Sequence, residues 1–125
     1  MPTVEVEYSA KVSKLVLDHL GDNLPSIVAP QMHLPNRKLH DGGVGLREII
    51  VKFREQSAFD RNINNIQITV YGHAFEERVA RHRDMKDAII AGVQRALDCM
   101  RCTDTAAVEV RLGPVEYGTI NKEES

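Results

Sequence analysis

Residues 2–8 read Pro-Thr-Val-Glu-Val-Glu-Tyr, and the rest of the chain is organised around this stretch. Polar and apolar side chains alternate along it, which predicts a strand whose valines and tyrosine face a core. Because the strand begins directly after Pro2, it would hold that residue against the fold. If Met1 is removed in the cell, the proline nitrogen becomes a secondary amine in a fixed place. Such an amine can serve as a base.

A terminal amine has a basicity that suits this role. An α-amino group titrates at roughly 7.7–8.0, and burial beside apolar groups and a cation lowers its pKa. A general base is most effective when its pKa lies near the working pH. Proline in second position is also common, so the residue alone does not identify an enzyme.

Length and composition exclude several classes of protein. The 125 residues fit one domain with its own core, so we assign residues 1–125 to a single domain. A formal net charge of -2 does not indicate the positively charged surface that nucleic-acid-binding proteins have. No run of apolar residues approaches the length needed to span a membrane. The charged first strand is unlike a signal peptide. Two cysteines without such a signal favour a reducing, cytoplasmic location.

Periodicity and turn residues predict the other elements. In chain order these are a helix from Ser9 or Ser13 to Gly21, an irregular stretch over 22–45, strands over 46–54 and 65–71, a helix over 85–100, and a strand over 108–112. The order gives two tandem β-α-β units, each expected to be a right-handed crossover. We therefore predict an α+β fold, a four-stranded sheet with two helices on one face.

The predicted sheet carries more apolar surface than two helices would cover. The residues expected on its apolar face are Ile49, Val51, Phe53, Ile66, Ile68 and Val70. Large exposed apolar patches are rare on monomers. The pattern therefore predicts that another subunit covers part of the sheet.

The cysteines and histidines do not predict a metal site. Cys99 and Cys102 have the spacing of a redox or zinc motif but lie near a predicted helix C-terminus, which raises a thiol pKa. A structural zinc site needs four ligands, and there is no second cysteine pair. The histidines, none in a ligand pair, are His19, His33, His40, His73 and His82. We expect neither a metal nor a cofactor.

Arginines mark two junctions between elements. Arg47 lies at the start of the second predicted strand, and Arg78, Arg81 and Arg83 cluster where the long helix should begin. Cations at a helix N-terminus oppose its dipole unless an anion binds there. Solvated surface side chains are the alternative explanation for any one of these arginines.

Taken together, these features resemble the tautomerase superfamily, and more closely 5-carboxymethyl-2-hydroxymuconate isomerase. The matching stretches are Pro2 to Ala10, Gly42 to Arg47, Asn65 to Val70 with Arg78 to Arg83, and Val108 to Val110. The resemblance implies a homotrimer whose sheets form a barrel, a small acidic unsaturated substrate and no cofactor. It also implies that Pro2 is the general base and that Arg47 and Arg78 bind the substrate carboxylate or developing enolate. Arg81 or Arg83 could replace Arg78.

The chain departs from the family pattern in two places, and two alternatives stay open. Glu77 stands where the family usually has a glycine, and prolines interrupt the segment before Arg47 where the family tends to have a longer helix. A ferredoxin-like binding or oligomerisation module has the same element order but interleaves its two units in the sheet. Related proline-dependent enzymes are decarboxylases or dehalogenases.

Overall fold

The computed structural model describes residues 2–35, 43–60 and 63–113. Its elements are β1 (Thr3–Tyr8), α1 (Lys14–Met32), a short 3-10 helix (Leu46–Glu48), β2 (Ile50–Glu55), β3 (Ile66–His73), α2 (Glu76–Ala80), α3 (His82–Cys99) and β4 (Ala106–Gly113). The expectations for Met1, His40 and Gly42 lie outside the described residues. None of the helices in these ranges is long and apolar enough to cross a membrane.

The strands form one mixed sheet in the order β2-β1-β3-β4. β1 runs parallel to β2, β3 runs parallel to β4, and the two pairs meet through an antiparallel contact between β1 and β3. The two β-α-β units therefore lie side by side. This arrangement confirms the predicted fold class and rules out the ferredoxin-like alternative, in which the units would interleave.

The core lies between one face of the sheet and the helices α1 and α3. Val4, Val6, Ile66 and Ile68 from the sheet are fully buried there, together with side chains such as Ile89 from α3. Ile49 is also buried within the single chain. Ile49, Ile66 and Ile68 therefore need no second subunit as cover, contrary to the prediction, because the helices of the same chain cover them.

The opposite face of the sheet is polar. Across the β1–β2 pair, Glu5 stands opposite Lys52 and Glu7 opposite Arg54. Arg54 and Glu7 form an ion pair, and this pair raises the pKa of the exposed Arg54 guanidinium. Any contact that this face makes with another copy would therefore involve charged and polar groups.

α1 is longer than the sequence predicted. It begins after Ser13, whose side chain accepts a hydrogen bond from the Leu15 N–H (3.1 Å), and continues through Gly21 and two prolines to Met32. The predicted helix end at Gly21 was wrong, and so was the irregular stretch over residues 22–32, whereas the described residues 33–35 and 43–45 are irregular as predicted. A helical proline costs about 3 kcal/mol, whereas each buried large apolar side chain contributes about 1.5–3 kcal/mol. The apolar residues that recur every four positions are all fully buried: Leu20, Leu24, Val28 and Met32.

The second strand starts later than predicted. Residues 46–48 form the 3-10 helix, and β2 begins only at Ile50. β2 lies at the sheet edge with β1 on one side, so Phe53, predicted to face the core, is 39% exposed. The strands over 65–71 and 108–112 and the long helix are confirmed as β3, β4 and α3, with bounds that differ by a few residues.

Candidate active site

Pro2 lies at one end of the sheet, which we call the proline end. Because β2 is parallel to β1 and β3 is antiparallel to it, this end holds the starts of β1 and β2 and the ends of β3 and β4. Pro2 is buried, and its carbonyl accepts a hydrogen bond from the Ile50 N–H (3.2 Å). The residue expected to act as base is therefore packed into the fold.

Gly72 is the residue opposite Pro2 when the β1–β3 register is extended by one position beyond its last pair. The β1–β3 register pairs Thr3 with Tyr71, and one further step sets Pro2 opposite Gly72. Opposite residues in an antiparallel pair point to the same face, with Cβ atoms about 4.5–5.5 Å apart. Pro2 is buried and has the same parity as the buried Val4 and Val6 of β1, which favours a ring on the face that the helices cover.

Arg78 is buried next to this glycine, with only 2% of its surface exposed. Its Nε donates a hydrogen bond to the Met32 carbonyl (2.9 Å), and its Nη1 donates to the His73 carbonyl (3.2 Å). The guanidinium also lies over the Phe75 ring, 5.1 Å from its centroid. A Cβ placed on Gly72 would be 3.6 Å from Arg78 Nη1. The Arg78 guanidinium therefore lies next to Gly72, at the end of the sheet where Pro2 lies.

Arg47 reaches the proline end from another element. It lies in the 3-10 helix that precedes β2, and its side chain is exposed. Ile50, which follows this helix, is the residue that donates to the Pro2 carbonyl. Arg47 is therefore available to a solute at this end of the sheet.

His33 anchors the segment that leads to Arg47. It follows the last residue of α1, and its Nδ1 accepts a hydrogen bond from the Val44 N–H (2.8 Å). A neutral imidazole that accepts at Nδ1 carries its proton on Nε2. This hydrogen bond connects the residue after α1 with the segment that precedes the 3-10 helix. This contact could not be predicted from the sequence, because the length of α1 was not apparent there.

The three clustered arginines have different surroundings. Arg78 lies in the last turn of α2, Arg81 between α2 and α3, and Arg83 in the first turn of α3. The expectation that all three open one long helix was wrong, because α2 is a separate short helix. Arg81 and Arg83 are exposed. Of these three, the structure brings Arg78 next to Gly72, at the same end of the sheet as Pro2 and Arg47.

The cysteines lie at the opposite end of α3 from these groups. Both thiols are free, and Cys102 Sγ donates a hydrogen bond to Asp104 Oδ2 (3.3 Å). Burial raises the pKa of the Cys102 thiol, which favours the unreactive protonated form. Over residues 2–35, 43–60 and 63–113, no group of three or more His, Cys, Asp or Glu side chains is arranged to hold a metal ion.

Sequence comparisons give no match for this chain. No protein-family model matches it, and a search of curated proteins finds no similar sequence.

Solved structures do resemble it. Malonate semialdehyde decarboxylase matches with a TM-score of 0.62 and 11% identity, over 98% of this chain and 94% of that one. Native fused 4-OT matches with a TM-score of 0.62 and 15% identity, over 95% and 92% of the two chains. A wild-type fused 4-OT described as a symmetric trimer matches with a TM-score of 0.60 and 17% identity, over the same shares.

At these identities the likeness concerns the fold. It spans nearly the whole of each chain and agrees with the two parallel strand pairs joined by an antiparallel contact. The chain has the fold of the tautomerase superfamily.

Proposed function

We propose that this protein is an enzyme that moves a proton within a small unsaturated oxo or hydroxy acid. The general base is the Pro2 amine, set free when Met1 is removed. The observation that carries the proposal is the placement of a buried Pro2 at the same end of a tautomerase-fold sheet as Arg47 and Arg78. The chemistry needs no cofactor.

In the proposed reaction, the neutral Pro2 nitrogen takes a proton from a carbon next to a carbonyl, and the electron pair of that C–H bond forms an enolate conjugated with the double bond. The protonated amine then returns the proton at another carbon of the conjugated system. Arg47 binds the substrate carboxylate, because a guanidinium can form two parallel hydrogen bonds with it. Arg78 contributes positive charge near the developing enolate.

An isomerisation assay on protein of defined terminus tests this function. Mass spectrometry first establishes whether the chain begins with Met1 or Pro2. The processed protein is then mixed with enol and oxo acids of the 5-carboxymethyl-2-hydroxymuconate type, and the change in conjugation is followed by absorbance. Catalysis above the rate of the buffer supports the proposal, and its absence across such acids would contradict it.

A decarboxylase on the same fold is the second candidate. The match to malonate semialdehyde decarboxylase, which covers 98% of this chain, favours it. A neutral amine that abstracts a proton suits isomerisation, whereas a protonated amine near a carbonyl suits loss of carbon dioxide. Release of carbon dioxide from malonate semialdehyde, without isomerisation of the enol acids, would favour this candidate.

Arg47 provides a direct test of substrate binding. A hydrogen bond to a charged group contributes about 1.5–3 kcal/mol, so we expect Arg47→Ala to raise KM for an acidic substrate on the order of tenfold or more, with a smaller change in kcat. Arg47→Lys should give an intermediate KM, because it keeps the charge and loses the two-pronged geometry. Steady-state kinetics measure both values.

Lys52→Ala is the matched control for this experiment. Lys52 is an exposed cation on β2 that stands opposite Glu5 on the polar face, so its loss changes the net charge equally. KM should stay near the wild-type value in this variant. If Arg47→Ala and Lys52→Ala give the same KM, Arg47 does not bind the carboxylate.

We further propose that the protein assembles as a homotrimer and acts in the cytoplasm. The fused 4-OT matched above is described as a trimer, and the polar sheet face with its opposite charges could line the interior of such an assembly. Sedimentation equilibrium at micromolar concentration should give the mass of three 14.0 kDa chains. A species with the mass of one chain would contradict the trimer and any site shared between subunits. The two free thiols agree with a reducing compartment.

A further inference from the structure

We propose that His33 is a positioning residue for Arg47: its neutral imidazole holds the start of the segment that carries Arg47, and protonation of the ring in acid releases that segment. This proposal rests on the proposed function, in which Arg47 binds the substrate carboxylate. His33 acts in it through the backbone of the protein and not through the substrate.

The segment over residues 44–50 is fixed at its two ends by hydrogen bonds to other parts of the chain. At its start the Val44 N–H donates to His33 Nδ1 (2.8 Å), and at its end the Ile50 N–H donates to the Pro2 carbonyl (3.2 Å). Arg47 lies midway between these two contacts. The position of the Arg47 backbone relative to Pro2 therefore depends on both of them.

The 3-10 helix between these contacts is weakly held by its own structure. Leu46 and Arg47 are exposed and Glu48 is half-buried, so packing restrains these residues little. The Glu48 N–H donates to the Gly45 carbonyl (3.0 Å) and the Ile49 N–H to the Leu46 carbonyl (3.4 Å), and hydrogen bonds of 3-10 type have poorer geometry than those of an α-helix. The contacts that flank the helix therefore contribute more to its position.

His33 is attached to a rigid part of the fold. Its backbone N–H donates to the Ala29 carbonyl (2.9 Å) at the end of α1, and the preceding Met32 carbonyl accepts from Arg78 Nε (2.9 Å). Val44 is buried in the core, and a buried backbone N–H is costly to leave without an acceptor. The imidazole of His33 supplies this acceptor from a fixed position.

The hydrogen bond exists in only one protonation state of His33. A backbone N–H always donates, so Nδ1 must offer its lone pair and the ring proton lies on Nε2. When the ring is protonated, both of its nitrogens carry a hydrogen, and Nδ1 faces the Val44 N–H as a second donor. The contact is therefore present while His33 is neutral and is lost as the pH falls and the ring takes up a proton.

Other charged and titratable groups lie around the end of α1. The processed chain has the Pro2 amine at this end of the sheet. On the described elements the other groups are Arg47 and Glu48 in the 3-10 helix, His73 at the end of β3, Glu76, Glu77 and Arg78 on α2, Arg81 after it, and His82, Arg83 and Asp84 at the start of α3. A test of His33 must therefore separate its protonation from theirs.

The first measurement follows the Val44 amide without substrate. Processed protein labelled with nitrogen-15 is titrated by NMR over about pH 5–8, the range in which imidazoles change charge. The spectra report the His33 ring and the backbone amides of Val44 and residues 46–48. Hydrogen exchange gives the protection of the Val44 amide at each pH, and thermal unfolding shows whether each variant keeps its fold.

A set of variants separates the acceptor from the charge of the ring. His33→Asn keeps an acceptor, the amide oxygen, near the place of Nδ1 and takes up no proton in this pH range. His33→Gln carries the same amide one carbon farther out, and His33→Leu has no acceptor. His19→Leu is the matched control, because His19 is half-buried on α1 and its Nδ1 lies 3.3 Å from the Asn23 amide nitrogen of the same helix.

In the wild-type protein we expect the Val44 amide signal to move as the His33 ring is protonated. The protection of this amide against exchange should fall about threefold to tenfold in acid, as the loss of one hydrogen bond implies. In His33→Asn the signal and the protection should stay constant over the whole range. In His33→Gln and His33→Leu the protection should be low at every pH.

The second measurement is steady-state kinetics at about pH 8, where imidazoles are neutral. His33→Leu and His33→Gln should raise KM for an acidic substrate about threefold to tenfold, with a smaller change in kcat, because Arg47 is displaced. His33→Asn and His19→Leu should give KM values near wild type. Rates in acid do not enter the comparison, because protonation of the Pro2 amine lowers them as well.

An unchanged KM in His33→Leu and His33→Gln would overturn the proposal, even with a lower unfolding temperature, because His33 would then be structural alone. If His33→Leu fails to fold, His33→Gln decides by the same criterion. A Val44 amide that still responds to acid in His33→Asn would overturn the role of protonation. If the protein isomerises no acid but the amides of Val44 and residues 46–48 respond to His33, the function is overturned and the link from His33 to the Arg47 segment stands.

Discussion

Protein that retains Met1 is expected to isomerise an unsaturated acid at least about a hundredfold more slowly than protein that begins with Pro2. With Met1 attached, the Pro2 nitrogen belongs to a tertiary amide, which has no basic lone pair. A general base typically contributes a factor of about 10²–10⁴, and this contribution disappears with the free amine. Initial rates of two preparations, each with its terminus defined by mass, measure the effect.

Pro2→Ala is the control for this prediction. It retains a terminal amine, now primary, so it should keep part of the rate and lose less than a chain extended by one residue. In every active form the rate should fall as the pH drops through the pKa of the amine, because protonation occupies the lone pair. Equal rates for the Met1-retained and processed proteins would show that Pro2 is not the base. Another group at the proline end, such as His73, would then be the candidate.

Replacement of Leu24 by alanine is expected to destabilise the protein by about 2–5 kcal/mol. Leu24 is fully buried in the second half of α1, so truncation would leave a cavity between the helix and the sheet. For a domain of this size the loss corresponds to a fall in Tm of roughly 10 °C or more. Thermal and denaturant unfolding of the variant measure the change.

Leu15→Ala is the matched control on the same helix. Leu15 is 70% exposed, so the same substitution should change stability by no more than about 0.5 kcal/mol. Similar values for the two variants would mean that the part of α1 beyond Gly21 does not contribute to the core.

The sequence predicted best the elements whose pattern is local and repeated. β1 and β3 alternate between apolar and polar residues, and α3 has a regular apolar face, so each was found without knowledge of its neighbours. The sequence prediction ended α1 too early, because Pro25 and Pro30 are strong local signals against a helix. What overrides them is burial against the sheet, which depends on tertiary packing.

The candidate site was predictable in its residue types more than in its contacts. Pro2 and Arg47 follow from their places before strands, and the structure sets both at one end of the sheet. The burial of Arg78 could not be predicted from the sequence. Its acceptor, the Met32 carbonyl, belongs to the part of α1 that the prediction left out. The link from His33 to Val44 has the same origin, since it exists only where that helix ends.

The antiparallel contact at the centre of the sheet gives the two β-α-β units opposite directions. β1 and β3 each open a β-α-β unit, and because they run in opposite directions their starts lie at opposite ends of the sheet. At the start of β3 the chain continues backward through a peptide bond, whose nitrogen is not basic. The two β-α-β units thus share an architecture, but a free secondary amine can arise in only one of them. Circular permutation that opened the chain just before Ile66 would move the terminus to the far end, so the place where the chain begins, more than the fold, selects which end can act as a base.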